Sequence, residues 1–487
     1  MATDVMPPDD SDDDLDDGGE VVGVLAQRLE QLRDPRWLTG VLDSALAQMA
    51  AAPVAVTGHD IEYCKIKPNR DINVAVRARL SAGGAAAVPQ LLSCTLYANA
   101  EACRLRNPAA GVEPVAAATR ARLAAAGLQR PFAVLDDPAM VVHAFPVDPA
   151  LPGLAPATTV EAMLPLFAAR LQDRRRAPRE LLLEVLHYKP RRSCAIHYTM
   201  DADGGAQPAR VYGKLSRDDR GAFHHRLLAA AHAASLRGDG LWQAARPVAW
   251  VPEWRLLLQE AVPGRDFRLV FAELTPDQAT AAQLERAGSL LDAIARAVHD
   301  LQRAPVTDGP TMTFERLLAA QDRNLHYMTG LQPQLAADLA AIRQQAARLA
   351  GTIPAGPLVF SHGDFAHGNV LVDGDRVGII DFDKAGAAEA AYDVAYFLTH
   401  MWSFGIRHEK RMPHVVQLCA RFRAAYAELA PEVSARRLAL YEALDFAAYV
   451  LRNFRKQSHQ ANWLHWARAQ VAAAWDRLAV AAGNGVA

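Results

Sequence analysis

The stretch Leu358-Val-Phe-Ser-His-Gly-Asp-Phe-Ala-His-Gly-Asn-Val-Leu-Val372, followed by Val377-Gly-Ile-Ile-Asp-Phe-Asp-Lys384, decides how this sequence is read. Its first apolar run reads as a short strand ending in a polar loop over 362–369. The runs at 370–372 and 377–380 read as a hairpin turning at Asp373-Gly374-Asp375, with a carboxylate, Asp381, where the second strand ends. A hairpin fixes the distance between the loop before it and the residue after it. Asp364, Asn369 and Asp381 can therefore converge on one spot. Two carboxylates and an amide oxygen, with no thiolate, are hard ligands suited to Mg²⁺. Plainer roles are open to the same residues: His362-Gly-Asp364 as a turn with Asp364 satisfying loop amides, or Asp381 as a helix cap. A transition-metal set of His362, Asp364 and His367 is a further alternative.

Outward from this island the pattern divides. Upstream, a helix is expected at about 158–172, strands near 181–188, 194–200 and 209–215, a helix near 219–236, and strands near 247–251 and 255–261. Beyond Pro263-Gly264 the periodicity is helical, at about 276–303, 313–329, 334–350, 414–429, 433–457 and 462–482, with 358–383 as the strand-rich exception. That is an α+β chain with a small sheet-bearing lobe (158–263) before a large helical one (264–487).

His362-Gly-Asp364-x-x-x-x-Asn369 followed by Ile-Ile-Asp381-Phe-Asp383 resembles the signature of the aminoglycoside phosphotransferase family, the small-molecule branch of the protein-kinase-like fold. Tyr392-Asp393-Val-Ala395 resembles that family's next helix start. The resemblance covers roughly 180–487. It implies Mg²⁺- and ATP-dependent phosphorylation of a hydroxyl on a small polar molecule: a sugar, amino sugar or aminoglycoside first, choline-like alcohols behind. Asp364 would be the catalytic base, and Asn369 and Asp381 would hold the metal against the phosphates. His362 would brace the loop, Asp383 would support the metal site or cap the segment after it, and Asp393 would be structural. Lys214, at the end of Arg210-Val-Tyr-Gly-Lys214-Leu, would contact phosphate. Lys189-Pro-Arg-Arg-Ser193 would be the loop over the phosphates, with Ser193 offering its amide or hydroxyl. In Leu256-Leu-Leu-Gln-Glu-Ala-Val-Pro-Gly264, the backbone around Glu260 and Val262 would pair with adenine.

Two departures from the pattern stand out. The helix after Lys214 holds no Glu to pair with it, leaving Asp218, Asp219 or some other tether. The family's Gly-Asp-Pro appears as Ala388-Glu389-Ala390. Acceptor recognition would draw on Trp402, Arg407, His408, Glu409, Tyr441, Glu442, Asp445 and Tyr449. The rival class is a nucleotide-binding pseudokinase, an interaction module without turnover; a protein kinase is disfavoured because the segment directly following Asp381 carries no Ala-Pro-Glu, that tripeptide standing only far downstream at 430–432.

Residues 21–157 lack the catalytic pair but echo the small lobe. After helical spacing over 21–51, Glu62, Lys67, Pro68 and Arg70 align with Glu184, Lys189, Pro190 and Arg192, and the run from Met140 resembles that from Leu256. The reading is a cap domain, a degenerate small-lobe repeat without a Gly-Lys-Leu equivalent, inert in preference to substrate-binding. Four prolines and a glycine over 145–157 mark its boundary.

Composition sets outer limits. The chain has 487 residues, 51% hydrophobic and 22% charged, with ample material for two or more cores. Residues 1–20 carry nine acids and no base, an expected disordered tail, leaving 52 basic against 45 acidic side chains elsewhere. That balance suits phosphate-bearing ligands and is too dilute for nucleic acid. Five scattered cysteines exclude a disulfide framework. No membrane span is expected, and the cytosol is the expected compartment.

Overall fold

Asp34-Pro35 divides the helical pattern expected over 21–51 into α1 (Gly19–Gln31) and α2 (Pro35–Met49). Pro35 needs no N–H in the first turn, and the Asp34 carboxylate accepts from the Arg36 N–H, so a new helix starts there. The computed structural model describes residues 19–67, 70–107, 116–170, 180–201, 209–237, 239–274, 279–407 and 412–484. The acidic run over 1–18, the Pro68-Asn69 corner, His408 and Glu409 lie outside them.

The first sheet is built from β1 (Val54–Lys67), β2 (Asp71–Ala82) and β3 (Val88–Tyr97), then, after α3 (Ala100–Arg106) and α4 (Ala117–Ala125), β4 (Phe132–Asp136) and β5 (Ala139–Ala144). Every pairing is antiparallel, in the order β1-β2-β3-β5-β4. Next come α5 (Leu154–Ala157), α6 (Val160–Arg170) and a second sheet: β6 (Leu181–Lys189), β7 (Ser193–Met200), β8 (Ala209–Ser216), α7 (Gly221–Ser235), β9 (Trp242–Ala244), β10 (Pro247–Val251) and β11 (Leu256–Glu260). Without β9, which joins a sheet of the helical lobe, its order is β6-β7-β8-β11-β10. The two sheets share one topology: three meandering strands, a helical excursion, then a hairpin whose second strand returns beside the third.

Their ladders also correspond. Ile72 pairs with Leu96 and Leu96 with Met140; Cys194 pairs with Leu215 and Leu215 with Leu256. Each trio faces the core of its own sheet. Strand alternation then puts the next residues, Thr95 in the first sheet and Lys214 in the second, on the opposite face.

The proline-rich segment 145–157 is a topological boundary but not an exposed linker. Phe145, Leu151, Leu154 and Ala157 are buried in one apolar cluster with Met163, Phe167 and Tyr198. Such side chains contribute about 1.5–3 kcal/mol each on burial. Asp148 accepts hydrogen bonds from Tyr188 Oη and from the Arg191 N–H, both at 2.8 Å. The Arg191 guanidinium reaches back to Tyr97 Oη at 3.2 Å and Asn107 Oδ1 at 3.3 Å. The β6–β7 turn is thus fastened to the first sheet.

The helical lobe comprises β12 (Arg265–Asp266), α8 (Phe267–Ala272), α9 (Ala281–Gln302), β13 (Thr311–Met312), α10 (Phe314–Leu331), α11 (Pro333–Ala350), β14 (Leu358–Ser361), β15 (Val370–Asp373), β16 (Arg376–Ile379), β17 (Gly386–Glu389), α12 (Ala391–Ile406), α13 (Met412–Leu429), α14 (Ala435–Gln457) and α15 (Trp463–Ala482). The short α8 is not anticipated by periodicity. Helix α14 is buried nearly all round, from Arg437 to Phe454, as a central helix must be. β15 and β16 form the expected hairpin, and β14 pairs with β17. No helix among the described residues is long and apolar enough to cross a membrane.

Candidate active site

The loop 362–369 is held from beneath. Asp393, fully buried on α12, accepts the N–H groups of His362 at 2.7 Å and Gly363 at 3.0 Å. His362 Nε2 lies 2.9 Å from the carbonyl of Ile380, and its ring packs edge-on against Phe365 and Phe382. Gly363 has φ +76°, and a Cβ there would stand 2.2 Å from the Lys384 carbonyl oxygen. Only glycine fits that crossing of the two loops. His362 and Asp393 act as braces, and among the described residues no cluster of three or more His, Cys, Asp or Glu side chains is placed to hold a metal ion. That arrangement leaves the transition-metal alternative without support: His367 turns away to pack on Phe404.

Asp364 projects from this braced loop. Tyr396 Oη donates to its Oδ1, Arg452 donates in turn to Tyr396, and Lys384 Nζ lies 3.5 Å away. Burial opposes ionisation, but Lys384, the Tyr396 hydrogen bond and Arg452 outweigh it and hold the carboxyl well below the usual carboxylate range. Asn369 donates Nδ2 to the Asp364 carbonyl at 2.9 Å, which fixes its amide and leaves Oδ1 as the free acceptor end.

Lys214 and Asp381 meet across the cleft at 2.6 Å, and the same ammonium bonds Asp383. Burial disfavours the ammonium, yet these two carboxylates raise its pKa; reciprocally, Lys214 lowers that of Asp381 against burial. Neither Asp218 nor Asp219 substitutes for the missing helix glutamate: Asp218 is taken by Arg220 at 3.0 Å. The other departure also resolves. Glu389 accepts from Arg437 Nε and Tyr441 Oη, both at 2.8 Å, and from the Gly356 N–H at 2.9 Å, a buried ion pair joining β17 to α14.

Ser193 opens β7, paired with Lys189 across the turn and with Ser216 on β8. At the junction of the lobes, the Glu260 N–H bonds the Arg246 carbonyl at 2.9 Å and the Ala261 N–H bonds that of Arg210 at 3.0 Å. Val262 comes next, buried, and its side chain would be struck by a Cβ on Gly378 of the hairpin. Glu260 thus ends the sheet, and Val262 packs against the β15–β16 hairpin of the helical lobe.

Beside Asp364 lies a cavity of about 280 Å³. Gly363, Tyr396 and Lys384 line it next to the carboxylate, and α14 forms a wall with Tyr441, Asp445 and Arg452. Of the residues expected to recognise an acceptor, Tyr441 and Asp445 are there. Trp402 and Glu442 instead line a separate cavity on the other side of α14, where Arg423 holds Glu442 at 2.7 Å. Arg407 is bonded to Tyr449 and Gln457. Sequence reading missed Tyr396, Lys384, Arg452, Arg455, Lys456 and, from β1, Lys65. Lys384 and Tyr396 sit beside recognised motifs, and that adjacency is the one usable signal. Lys65 also alters the picture of the first domain as an inert cap, since its side chain forms part of the cavity wall.

A family model described as "Phosphotransferase enzyme family" matches residues 203–431. No curated protein matches the chain. Among solved structures, choline kinase from Cryptosporidium parvum Iowa II is 11% identical, covering 67% of this chain and 98% of its own, with a TM-score of 0.46. An aminoglycoside phosphotransferase from Streptomyces rimosus is 19% identical over 59% of this chain and 98% of its own, at 0.37. A choline/ethanolamine kinase family protein from Mesorhizobium loti is 14% identical over 61% and 88%, at 0.42.

Proposed function

With residues 203–431 matching the phosphotransferase enzyme family, we propose that this protein transfers the terminal phosphoryl group of ATP to a hydroxyl of a small polar molecule of the sugar class. The observation that carries this reading is the convergence of Lys214, Asp381 and Asp364, from three separate elements, beside a cavity of small-molecule size that Gly363 and Lys384 line.

Phosphoryl transfer asks for alignment and charge neutralisation more than for covalent chemistry. Asp364, ionised at any ordinary pH, accepts the proton of the attacking hydroxyl, and Tyr396 and Lys384 fix the direction in which it does so. Lys214 and the β6–β7 turn, with Lys189 and Ser193, bind the phosphates, and the backbone at Glu260 and Val262 faces the base. Asn369 Oδ1 and the Asp381 carboxylate supply hard oxygen donors, and the ammonium already shared by Asp381 and Asp383 indicates that the site accommodates a cation. They would hold Mg²⁺, which when bound neutralises charge on the phosphates. The pseudokinase reading leans on the absence of an acid for Lys214, and Lys214 has two.

The test is ADP release from ATP with Mg²⁺ across sugars, sugar acids, sugar phosphates and amino alcohols, with Asp364→Ala alongside. Acceptor-dependent turnover lost in the variant is the expected result. Nucleotide binding without turnover for any acceptor would favour the pseudokinase, and no nucleotide binding would overturn both.

A further inference from the structure

The wall of the cavity beside Asp364 is electrostatically one-sided. Among the described residues, Lys65, Arg192, Lys384, Arg452, Arg455 and Lys456 line it, against the single carboxylate of Asp445. A site for an amino sugar or aminoglycoside calls for the reverse. Some of this charge is accounted for. Lys384 lies 3.5 Å from Asp364, and Arg452 lies 3.5 Å from Asp445. A magnesium–nucleoside triphosphate carries about two net negative charges, which Lys189 and Arg192 of the β6–β7 turn suffice to balance.

Lys65, Arg455 and Lys456 complete the basic side of the wall, and Lys65 and Arg455 are themselves engaged by neighbouring groups. Lys456 has no ionic or hydrogen-bonding partner among the described residues; enclosure and the nearby Arg452, Arg192, Lys189 and Lys384 push its ammonium pKa below the ordinary value. Arg452 Nη2, buried and without a hydrogen bond, keeps only its ionic contact with Asp445 at 3.5 Å. The C-terminal turn of α14 attracts cations on its own account, which bears on Arg455 and Lys456. It does not account for Lys65, which is 6% exposed and arrives from a different domain. Arg455 ties the two together, bonding the Ile66 carbonyl at 3.3 Å and Asn324 at 2.9 Å.

We propose that the acceptor carries an anionic group, a phosphate monoester or a carboxylate, which Lys456, Arg455 and Lys65 bind while its hydroxyl is presented to Asp364. The first domain thereby contributes to acceptor specificity through the end of β1. This rests on the phosphotransferase reading of the same site.

The experiment has a binding arm and a turnover arm on the full-length chain. In the binding arm, thermal stabilisation by glucose 6-phosphate, glucuronate, glucose and glucosamine is measured with Mg²⁺ and saturating AMP-PNP, so that the nucleotide site is filled. The phosphate or carboxylate compound should raise Tm, the neutral and cationic ones should not, and Lys456→Ala should abolish the shift. Which of the two anions shifts Tm identifies the source of the charge. In the turnover arm, the anionic acceptor should be used at least tenfold more efficiently than its neutral counterpart. Lys456→Ala and Lys65→Met should each raise acceptor KM about tenfold, with ATP KM within twofold of the wild type. Equal or better binding of glucosamine or glucose, or variants that shift ATP KM instead, would overturn the proposal while leaving the kinase reading intact. If AMP-PNP itself fails to bind, the kinase reading fails first.

Discussion

Thr95 and Lys214 occupy the same ladder position in two sheets of the same strand order, and they differ in what surrounds them. Lys214 sits opposite Ala195 and Leu257, a small and an apolar neighbour, so its ammonium can reach Asp381 and Asp383 across the cleft. Thr95 sits opposite Asn73 and Val141 and is 1% exposed; its hydroxyl donates to Asn73 at 3.1 Å, and Asn73 in turn bonds Asp71. The second sheet keeps a charged face open to a helical lobe. The first closes that face with a buried polar chain and an apolar seam against its neighbour. One strand topology therefore serves as a ligand platform or as a wall, according to which side chains its outward face carries. We read the first domain as a degenerate copy of the second on this correspondence.

The comparison breaks most severely if chemistry is not confined to the second sheet and the helical lobe. Asp364→Asn keeps the shape and removes the base, and should lower kcat by roughly a hundred- to ten-thousand-fold in a protein that still folds, as its circular dichroism would show. Retained turnover would mean the carboxylate is not the proton acceptor. Next in size is the buried ion pair between Glu389 and Arg437 that anchors the helical lobe. Glu389→Gln strands Arg437 and should cost about 3–5 kcal/mol in denaturant titrations. Burial raises the pKa of Glu389, but Arg437, the Gly356 N–H and Tyr441 together hold it below its ordinary 4.5. Its folded pKa being depressed, its contribution is present above pH 4.5 and lost as pH falls through the folded value. The stability gap to Glu389→Gln should therefore shrink on acidification.

The two equivalent positions can be tested as a pair. Lys214→Met should reduce kcat/KM by roughly a hundredfold or more, whereas Thr95→Val should leave kcat/KM within twofold. The second substitution should cost only about 1 kcal/mol of stability, the loss of one hydrogen bond to Asn73. A catalytic effect of Thr95→Val of the same size as that of Lys214→Met would dissolve the distinction. An effect well below that of Lys214→Met belongs to the seam: Tyr97→Phe removes the hydroxyl that Arg191 contacts and should raise the KM for ATP only a few-fold, by loosening the β6–β7 turn.

Much of the site is legible in the sequence because its spacing is local. The loop from His362 to Asn369 and the hairpin to Asp381 fall within one run, where strand length and turn residues fix relative position. The repeat is likewise visible, since Lys67 and Lys189, and Met140 and Leu256, sit at equivalent strand positions. Long-range partnership is what escapes. Nothing near Lys214 in sequence indicates Asp383, and nothing near Glu389 indicates Arg437. The division of α14 between two cavities is hidden as well: Asp445 faces one and Glu442 the other, and helical periodicity alone does not tell which neighbour each side will meet.

Sequence by itself determined the residue types of the proposed site and their order: a carboxylate in a braced loop, two oxygen donors flanking a hairpin, and a lysine on a strand upstream. It did so because those groups are held by short-range backbone geometry. Tertiary structure alone decided the charge of the cavity beside Asp364 and the place of Lys65 in its wall. Both come from how β1, α10 and α14 pack together, and electrostatic character in a cleft is the sum over side chains that the chain places hundreds of residues apart.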